Sequence, residues 1–344
     1  MVSGTHVPVL TTECLALLDP KPGARFIDCT VNGGGHSWAI LERTAPDGAL
    51  LALDADPDAV ELARRRLGSY GTRAVAVHTN FRLVGQIAAE HDFVDVDGVL
   101  LDLGLSSGQL EASGRGFSFL RDEPLDMRFD PTRGRTAAEY VASASHAELE
   151  RDLRAFGEEP GARRIARAIT AARTSAPIRT TAQLVRLVLG AAGRRGGRVH
   201  PATRTFQAVR IAVNDELQAL TEALPQAVGL LRHGGRIAVI SFHSLEDRIV
   251  KSIFGRLAGK SPEGTPRGLP VPLERQTAEV RIVTRRPVNP TLAEVAANPR
   301  SRSARLRVAE RLLWPGLRSR LAGSAPRFWG PPRHFAQGRC PRWR

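Results

Sequence analysis

Three short polar segments of this chain each follow an apolar run of strand length. In the first, Asp28–His36, an acid precedes three consecutive glycines, and the second is Asp54, twenty residues past Gly34. The third, Asp102–Gln109, contains serine hydroxyls and a side-chain amide. Glycines let a backbone approach a ligand, and an acid at a strand end accepts hydrogen bonds from ribose hydroxyls. Together the three segments favour a nucleoside site.

The glycine pattern makes some nucleoside ligands less suitable but does not identify the ligand. A dinucleotide fingerprint would read G-x-G-x-x-G, but here the glycines are contiguous and His36 follows them. Asp28 would repel a pyrophosphate and would favour a ligand with a cationic end, such as S-adenosylmethionine. At this point a methyl-donor site, a dinucleotide site and a purely structural turn all stay open.

Composition indicates a globular protein that is long enough for two domains, or for one domain with a large insertion. The chain has 344 residues, 42% of them hydrophobic, and no apolar run approaches the length of a membrane span. The N-terminus shows neither a basic nor an apolar leader region, so we expect a cytoplasmic protein without membrane contact. Cys14, Cys29 and Cys340 are odd in number and lack metal-ligand spacing. They indicate free thiols in a reducing compartment, and we expect no metal.

Positive charge is concentrated near the end of the chain. The net charge is +14, and Leu313–Arg344 contains seven arginines and no acid. Clustered arginine suits a polyanion such as nucleic acid, whereas a genome rich in G and C would also favour arginine. The Arg/Pro/Trp-rich composition of 313–344 predicts a basic tail that is disordered or loosely docked.

The order of apolar segments predicts a parallel sheet with helical crossovers. We expect strands at Phe26–Thr30, Leu50–Asp54, Ala74–His78, Val96–Leu103 and Arg236–Phe242. The gap before the last strand is too long for one crossover, and helical patterns fill it. They are Ala137–Ala142, Ala147–Phe156, Ala162–Ala172, Ala182–Leu189 and Thr205–Leu224. We therefore expect a main domain in two parts (1–109 and 216–312), a helical lid or substrate insertion (110–215) and the tail (313–344).

Three local expectations follow from spacing. Apolar residues at steps of three and four predict that Thr205–Leu224 is a single helix with a core-facing stripe. Ser244 followed by Asp247 suggests a capping box for the next helix. Asn298–Arg307 alternates arginine with small and apolar residues, which favours an edge strand with a basic face; such a face either contacts phosphates or prevents aggregation.

Taken together, the motifs resemble one known family, the ribosomal RNA small subunit methyltransferase H family. They run in order over about residues 6–311. The matching segments are His6–Leu10, Gly33–Ser37, Asp54–Asp56, Asn80–Phe81, Asp102–Ser107, Arg115–Phe119, Pro124–Arg128, Phe156–Glu159, His200–Gln207, Ser241–Arg248 and Asn298–Ser303. Asn32 stands where the family usually has glycine. Because asparagine tolerates left-handed backbone angles, we expect the loop to keep its shape.

The resemblance implies an α/β fold: a Rossmann-like class I methyltransferase sheet with an inserted α-helical domain. It implies an enzyme that transfers a methyl group from S-adenosylmethionine to the exocyclic N4 amine of a decoding-centre cytosine in 16S rRNA, position 1402 in standard rRNA numbering. The expected partner is small-subunit ribosomal RNA or the assembling 30S particle. The expected oligomeric state is a monomer or a homodimer.

Site residues carry over position by position. The donor contacts of the family fall on Gly34, Gly35, His36, Asp54, Phe81, Asp102 and Gln109. Asp102, Ser106 and Ser107 are expected nearest the transferred methyl. We expect RNA contacts from Arg115, Phe117, Arg128, Arg204, Arg210, His243, Arg300, Arg302 and Arg305. Phe117 beside Arg115 suits either base stacking or packing of the insertion, and a helix-capping role is the alternative for each serine.

Two other functions are weighed against this one. An amino-methyltransferase acting on DNA would carry an Asp/Asn-Pro-Pro-aromatic motif after the fourth strand, which this sequence lacks. A non-catalytic RNA-binding or assembly factor that retains the donor fold stays open.

Overall fold

A seven-stranded sheet organises the protein, which we describe from a computed structural model over residues 8–106, 108–192, 200–260 and 277–312. The strand order is β3-β2-β1-β4-β5-β7-β6, with β1 to β5 parallel and β7 antiparallel to both of its neighbours. The strands are β1 (Arg25–Asp28), β2 (Ala49–Asp54), β3 (Ala74–His78), β4 (Val96–Asp102), β5 (Leu231–Ser241), β6 (Val280–Ile282) and β7 (Arg305–Arg311). This doubly wound order is that of a Rossmann-like sheet, as expected.

Helices cover both faces of the sheet, so its central strands are apolar on each side. One face packs under α1 (Thr11–Leu18), α2 (Gly35–Arg43) and α3 (Pro57–Leu67). The other packs under α4 (Val84–Glu90), α10 (Glu216–Leu230) and α11 (Ser244–Leu257). Neighbouring residues of one strand serve opposite faces: Phe26 and Leu100 belong to the first core, and Ile27 and Leu101 to the second.

Between β4 and β5, five helices bury a core of their own. They are α5 (Ala137–Ser143), α6 (His146–Gly157), α7 (Ala162–Ser175), α8 (Thr181–Ala192) and α9 (Ala202–Asn214). Capping boxes begin two of them, Thr136 with Glu139 for α5 and Ser145 with Glu148 for α6. These reciprocal bonds satisfy backbone N–H groups that a helix start leaves unpaired, which fixes where each helix begins. A last short helix, α12 (Leu292–Ala297), precedes β7.

The helix predicted over Thr205–Leu224 is wrong: the chain breaks between α9 and α10 at Asp215, whose φ is 52°. Phe206 and Val209 pack in the helical core, whereas Leu220 packs in the core under the sheet. The apolar stripe is therefore continuous in sequence but divided between two cores.

The edge strand predicted over Asn298–Arg307 is also wrong. Residues Pro299–Ser303 form a 3-10 turn, and β7 starts only at Arg305. Strand β7 lies between β5 and β6, so its backbone is paired on both sides. Since β7 begins opposite Ser241, the arginines of this turn lie at the edge of the sheet where the parallel strands end.

The capping box at the start of α11 lies one residue earlier than expected. His243 caps the helix and pairs with Glu246, not Ser244 with Asp247. Asp247 instead accepts hydrogen bonds from Arg305 at 3.2 Å and from Arg307 at 2.6 and 3.1 Å, which joins α11 to β7. Burial alone would raise the pKa of Asp247, but the two arginines outweigh it and lower the pKa below its ordinary value.

The two cysteines within the described ranges, Cys14 and Cys29, are buried free thiols. Burial raises the pKa of each, which keeps both thiols protonated and unreactive. The expectations on Ser107, Cys340 and the basic tail 313–344 lie outside the described residues. Among the described helices, none combines the length and apolar character needed to cross a membrane.

Candidate active site

The three polar segments at the strand ends meet around one pocket. The pocket lies over the carboxyl ends of the parallel strands, where β1 and β4 are neighbours and the chain winds away in opposite directions. Ligands of open α/β sheets bind at this switch point. The lining residues are Cys29, Thr30, Asn32, Asp54, Ala55, Asn80, Phe81, Asp102, Leu103, Gly104, Gln109, Phe129, Asn214, Glu216, Ala219, Leu220 and Glu246.

The loop after β1 is shaped by Asn32, which adopts the left-handed conformation expected of it, with φ 47°. Its backbone N–H donates to Asp54 Oδ2 at 2.8 Å, and the N–H of Asp56 donates to Asp54 Oδ1 at 2.9 Å. Burial nevertheless raises the pKa of Asp54 to about 7, because desolvation outweighs these two hydrogen bonds. Asp54 is thus a fixed acceptor whose charge depends on pH near neutrality.

Asp102, the last residue of β4, lines the pocket. Its backbone N–H donates to Thr30 Oγ1 at 2.6 Å, which joins the ends of β4 and β1. His36 Nε2 lies 3.6 Å from Asp102 Oδ2, and both side chains are 7% exposed. Because His36 does not line the pocket, it is placed to act on a ligand through Asp102, and its direct donor contact stays a prediction.

The glycines after Asn32 serve packing. A Cβ on Gly35 would lie 2.8 Å from Pro8 Cγ, so only glycine lets the segment before α1 pack there. Gly34 has φ 71°, which also favours glycine. Neither is among the described residues that line the pocket, so a donor contact from either stays a prediction.

Gln109 ties the pocket to the helical region. Ser106 and Gln109 bond reciprocally, each backbone N–H donating to the other's side chain at 3.0 Å. Gln109 Nε2 donates to Asp56 Oδ2 at 3.0 Å, and the Arg115 guanidinium pairs with the same carboxylate. The capping alternative for Ser106 is therefore a real feature of this turn, whose helix is of the π type.

Carboxylates lie at both ends of the pocket. Asp54 and Phe81 follow β2 and β3, on one side of the switch point. Glu216 and Glu246 lie on the other side, at the starts of α10 and α11. Neither glutamate is among the site residues expected from the sequence. Glu246 comes shortly after the end of β5, and its position near a strand end is the sequence feature that could have identified it.

The comparisons with known proteins agree with this geometry. The model of the MraW methylase family matches residues 3–312. The chain belongs to this family. A ribosomal RNA small subunit methyltransferase H from Thermomicrobium roseum is 53% identical over 92% of this chain and 96% of its own length. Proteins of the same name from Dehalococcoides mccartyi (48%, over 92% and 89%) and Geobacter sulfurreducens (50%, over 90% and 99%) are also similar.

The cofactor of this MraW family protein is S-adenosylmethionine, as expected. The residues that line the pocket fit S-adenosylmethionine. The carboxylate of Asp54 suits ribose hydroxyls, and the aromatic ring of Phe81 suits a purine. Asp28, expected to attract the cationic end, instead accepts from Ser37 Oγ at 2.6 Å and from the Thr30 N–H at 3.1 Å. Asp102, in contrast, lines the pocket, and its contact with the cationic end stays a prediction.

Several residues expected to contact RNA make contacts within this MraW family protein. Arg115 pairs with Asp56 and donates to the carbonyl oxygens of Arg128 and Phe129. Phe117 is 7% exposed and stacks on Phe129 with ring centroids 5.5 Å apart, so the packing alternative holds.

Two further arginines also form ion pairs within the protein. Arg128 donates to Asp126 at 2.9 and 2.7 Å. Arg210 forms a two-pronged pair with Glu216, with both N–O distances 2.8 Å. These contacts hold the guanidinium groups within the protein, and an RNA contact from any of them stays a prediction. The exposed members of the expected set are Arg204, Arg302 and Arg305, while Arg300 and His243 are half-buried.

Proposed function

We propose that the protein transfers a methyl group from S-adenosylmethionine to the N4 amine of a cytosine in small-subunit ribosomal RNA. The decoding-centre position 1402 is the proposed target. The observation that carries the proposal is the pocket across the switch point, with a nucleoside-binding end at β2 and β3 and a second polar end at β5. The relatives are named as small-subunit rRNA methyltransferases, which supports the same substrate.

The residues of the pocket act mainly by positioning. S-Adenosylmethionine supplies an electrophilic methyl group when it is bound. The amine of cytosine is a weak nucleophile because its lone pair is delocalised into the ring, so alignment contributes much of the rate. Asp102, whose backbone is held by Thr30 and whose carboxylate has His36 beside it, lies between the two ends of the pocket and orients the reacting groups. Ser106 lies on the adjoining turn.

A target base must leave its stack to reach such a pocket. The helical region between β4 and β5 and the turn before β7 both carry exposed arginines. Arg204 is exposed in the helical region and Arg302 in the turn, and Arg305, also exposed, lies beside Asp247. We expect these arginines to hold the RNA backbone next to the extruded base.

A basic groove along α11 offers a second RNA surface. The basic groove is lined by six cationic residues, Arg248, Lys251, Arg256, Lys260, Arg285 and Arg307, and by no acid among its described lining residues. It runs between α11 and the strands β6 and β7. Arg248 pairs with Glu158 and Arg307 with Asp247, so we expect phosphate contacts mainly from Arg256, Lys260 and Arg285.

Transfer of label tests this function. The protein is incubated with labelled S-adenosylmethionine and small subunits that lack the modification, and the rRNA is then digested and mapped by mass spectrometry. We expect N4-methylcytidine at the proposed position. Donor binding by calorimetry without transfer to any ribosomal precursor would support the assembly-factor alternative instead.

A further inference from the structure

Glu246 has an environment that its capping role alone does not require. It lies at the third position of α11, is 3% exposed, and lines the pocket at the β5 end. Its Oε2 accepts from the backbone N–H groups of Phe242 at 2.8 Å and His243 at 3.2 Å. Those bonds complete the cap and leave Oε1 as a second acceptor.

The ring of His243 lies beside that second oxygen. His243 Nδ1 accepts from the Glu246 N–H at 3.4 Å, so the ring proton lies on Nε2. Nε2 lies 3.0 Å from Glu246 Oε1 but forms no hydrogen bond to any of the described groups. The carboxylate is therefore confined from one side by the ring, while Glu246 still borders the pocket.

The neighbouring Glu216 does not compete for the same role. Glu216, His243 and Glu246 place one polar atom each within 4.8 Å of one another, an arrangement that could suggest a metal site. Both Glu216 oxygens, however, are bound by Arg210 at 2.8 Å. The pair neutralises Glu216, so the three residues do not present a ligand set to a cation.

We propose that Glu246 accepts a hydrogen bond from the exocyclic amine of the target base and so selects cytosine over uracil. Cytosine presents an N4 donor where uracil presents an O4 acceptor, and carboxylates are suited to the cytosine group. Opposite uracil, Glu246 would face a second acceptor at close range. This inference rests on the proposed function, since it assigns the residue that recognises its substrate.

The test replaces Glu246 without removing the cap. In E246Q a side-chain oxygen still accepts from the backbone N–H groups, because capping boxes use glutamine as well as glutamate. The amide NH2 group then faces the pocket as a donor. The matched control is E148Q, the same change at the same position of the exposed capping box of α6. Thermal melting of both variants verifies folding.

The readout is binding of small subunits that carry either cytosine or uracil at the target position, measured by competition. We expect the wild-type protein and E148Q to prefer cytosine by about ten-fold or more, and E246Q to lose or reverse that preference. A second variant, E246D, keeps a carboxylate one methylene shorter and should retain a weakened preference for cytosine.

Three results separate the possibilities. An E246Q protein that discriminates as the wild type does would overturn the role of Glu246. The same holds if the wild type shows no preference while mass spectrometry detects N4-methylcytidine. If the wild type forms no N4-methylcytidine at all, the proposed function itself fails.

Discussion

We expect the charge of Asp54 to make the affinity for S-adenosylmethionine depend on pH. Its pKa is raised to about 7 by burial, so below that pH the free protein carries a protonated carboxyl there. A protonated carboxyl has lost acceptor capacity for ribose hydroxyls, and binding must first remove the proton. We expect donor affinity to fall as pH decreases through about 7, by up to about ten-fold per pH unit.

Calorimetry between about pH 6 and about pH 8 measures this dependence. D54N serves as the control, since its amide does not titrate: it should bind more weakly, with a nearly flat pH profile. An unchanged slope in D54N would assign the titration to another group.

Asn32 offers a second test at the scale of one residue. Because its φ is 47°, alanine there adopts a strained backbone, whereas glycine does not. We expect N32A to lower the free energy of unfolding by about 1 kcal/mol and N32G to leave it nearly unchanged. Denaturant unfolding of both variants checks this, and equal losses in the two would show that the side chain, not the backbone angle, matters.

Single residues were predictable where the reason was local. Asparagine at a left-handed position follows from its own chemistry, and so the shape of the loop could be predicted. The pKa of Asp54 depends on burial by segments far away in sequence. The buried roles of Arg115 and Arg210 depend in the same way on Asp56 and Glu216, which the sequence alone does not bring together.

At the scale of elements, the ion pair between Arg210 and Glu216 supports the break between α9 and α10. Both side chains are largely buried, 15% and 11% exposed. Removing one partner leaves an unpaired buried charge, so we expect R210M to lower the free energy of unfolding by about 3 kcal/mol. Chemical denaturation measures this loss.

The double variant R210M/E216L is the matched comparison, because it removes both charges. Its stability should recover most of the loss, since replacing a whole buried pair is often close to neutral. Equal destabilisation of the single and double variants would instead assign the effect to packing.

Most strand and helix positions followed from periodicity to within a few residues, although β5 begins earlier than expected, at Leu231. The break between α9 and α10 at Asp215 could not be predicted from periodicity, because the apolar residues keep the same spacing across it. The start of α11 was misplaced by one residue for a related reason: serine and aspartate satisfy the capping pattern as well as histidine and glutamate do. Only the three-dimensional arrangement shows that Arg305 and Arg307 engage Asp247.

At the scale of the molecule, the basic groove predicts how RNA affinity responds to salt. Each phosphate contact removed lowers the slope of log affinity against log salt by about 0.7 to 0.9. We expect R256A/R285A, in the groove, to weaken binding to small subunits and to reduce this slope accordingly.

The control is R43A/R65A, which removes the same charge near the opposite edge of the sheet, on α2 and α3. Binding measured over a range of salt concentrations compares the two variants. Similar slopes for both would indicate that net charge, not the basic groove, governs binding.

The overall sheet could be predicted because strands and crossovers alternate along the chain. The position of β7 could not be predicted. Its place between β5 and β6 depends on contacts between segments distant in sequence, and no local pattern indicates it. The same limit applies to the pocket, because Asp54 at one end and Glu246 at the other come from segments far apart in sequence.

The late insertion of β7 has a consequence for biosynthesis. Strand β5, which leads to Glu246, is flanked by β4 and by residues 305–311. A nascent chain that ends before those residues leaves one side of β5 without its neighbour. The strand that leads to Glu246 therefore gains its second neighbour only after residues 305–311 have been translated.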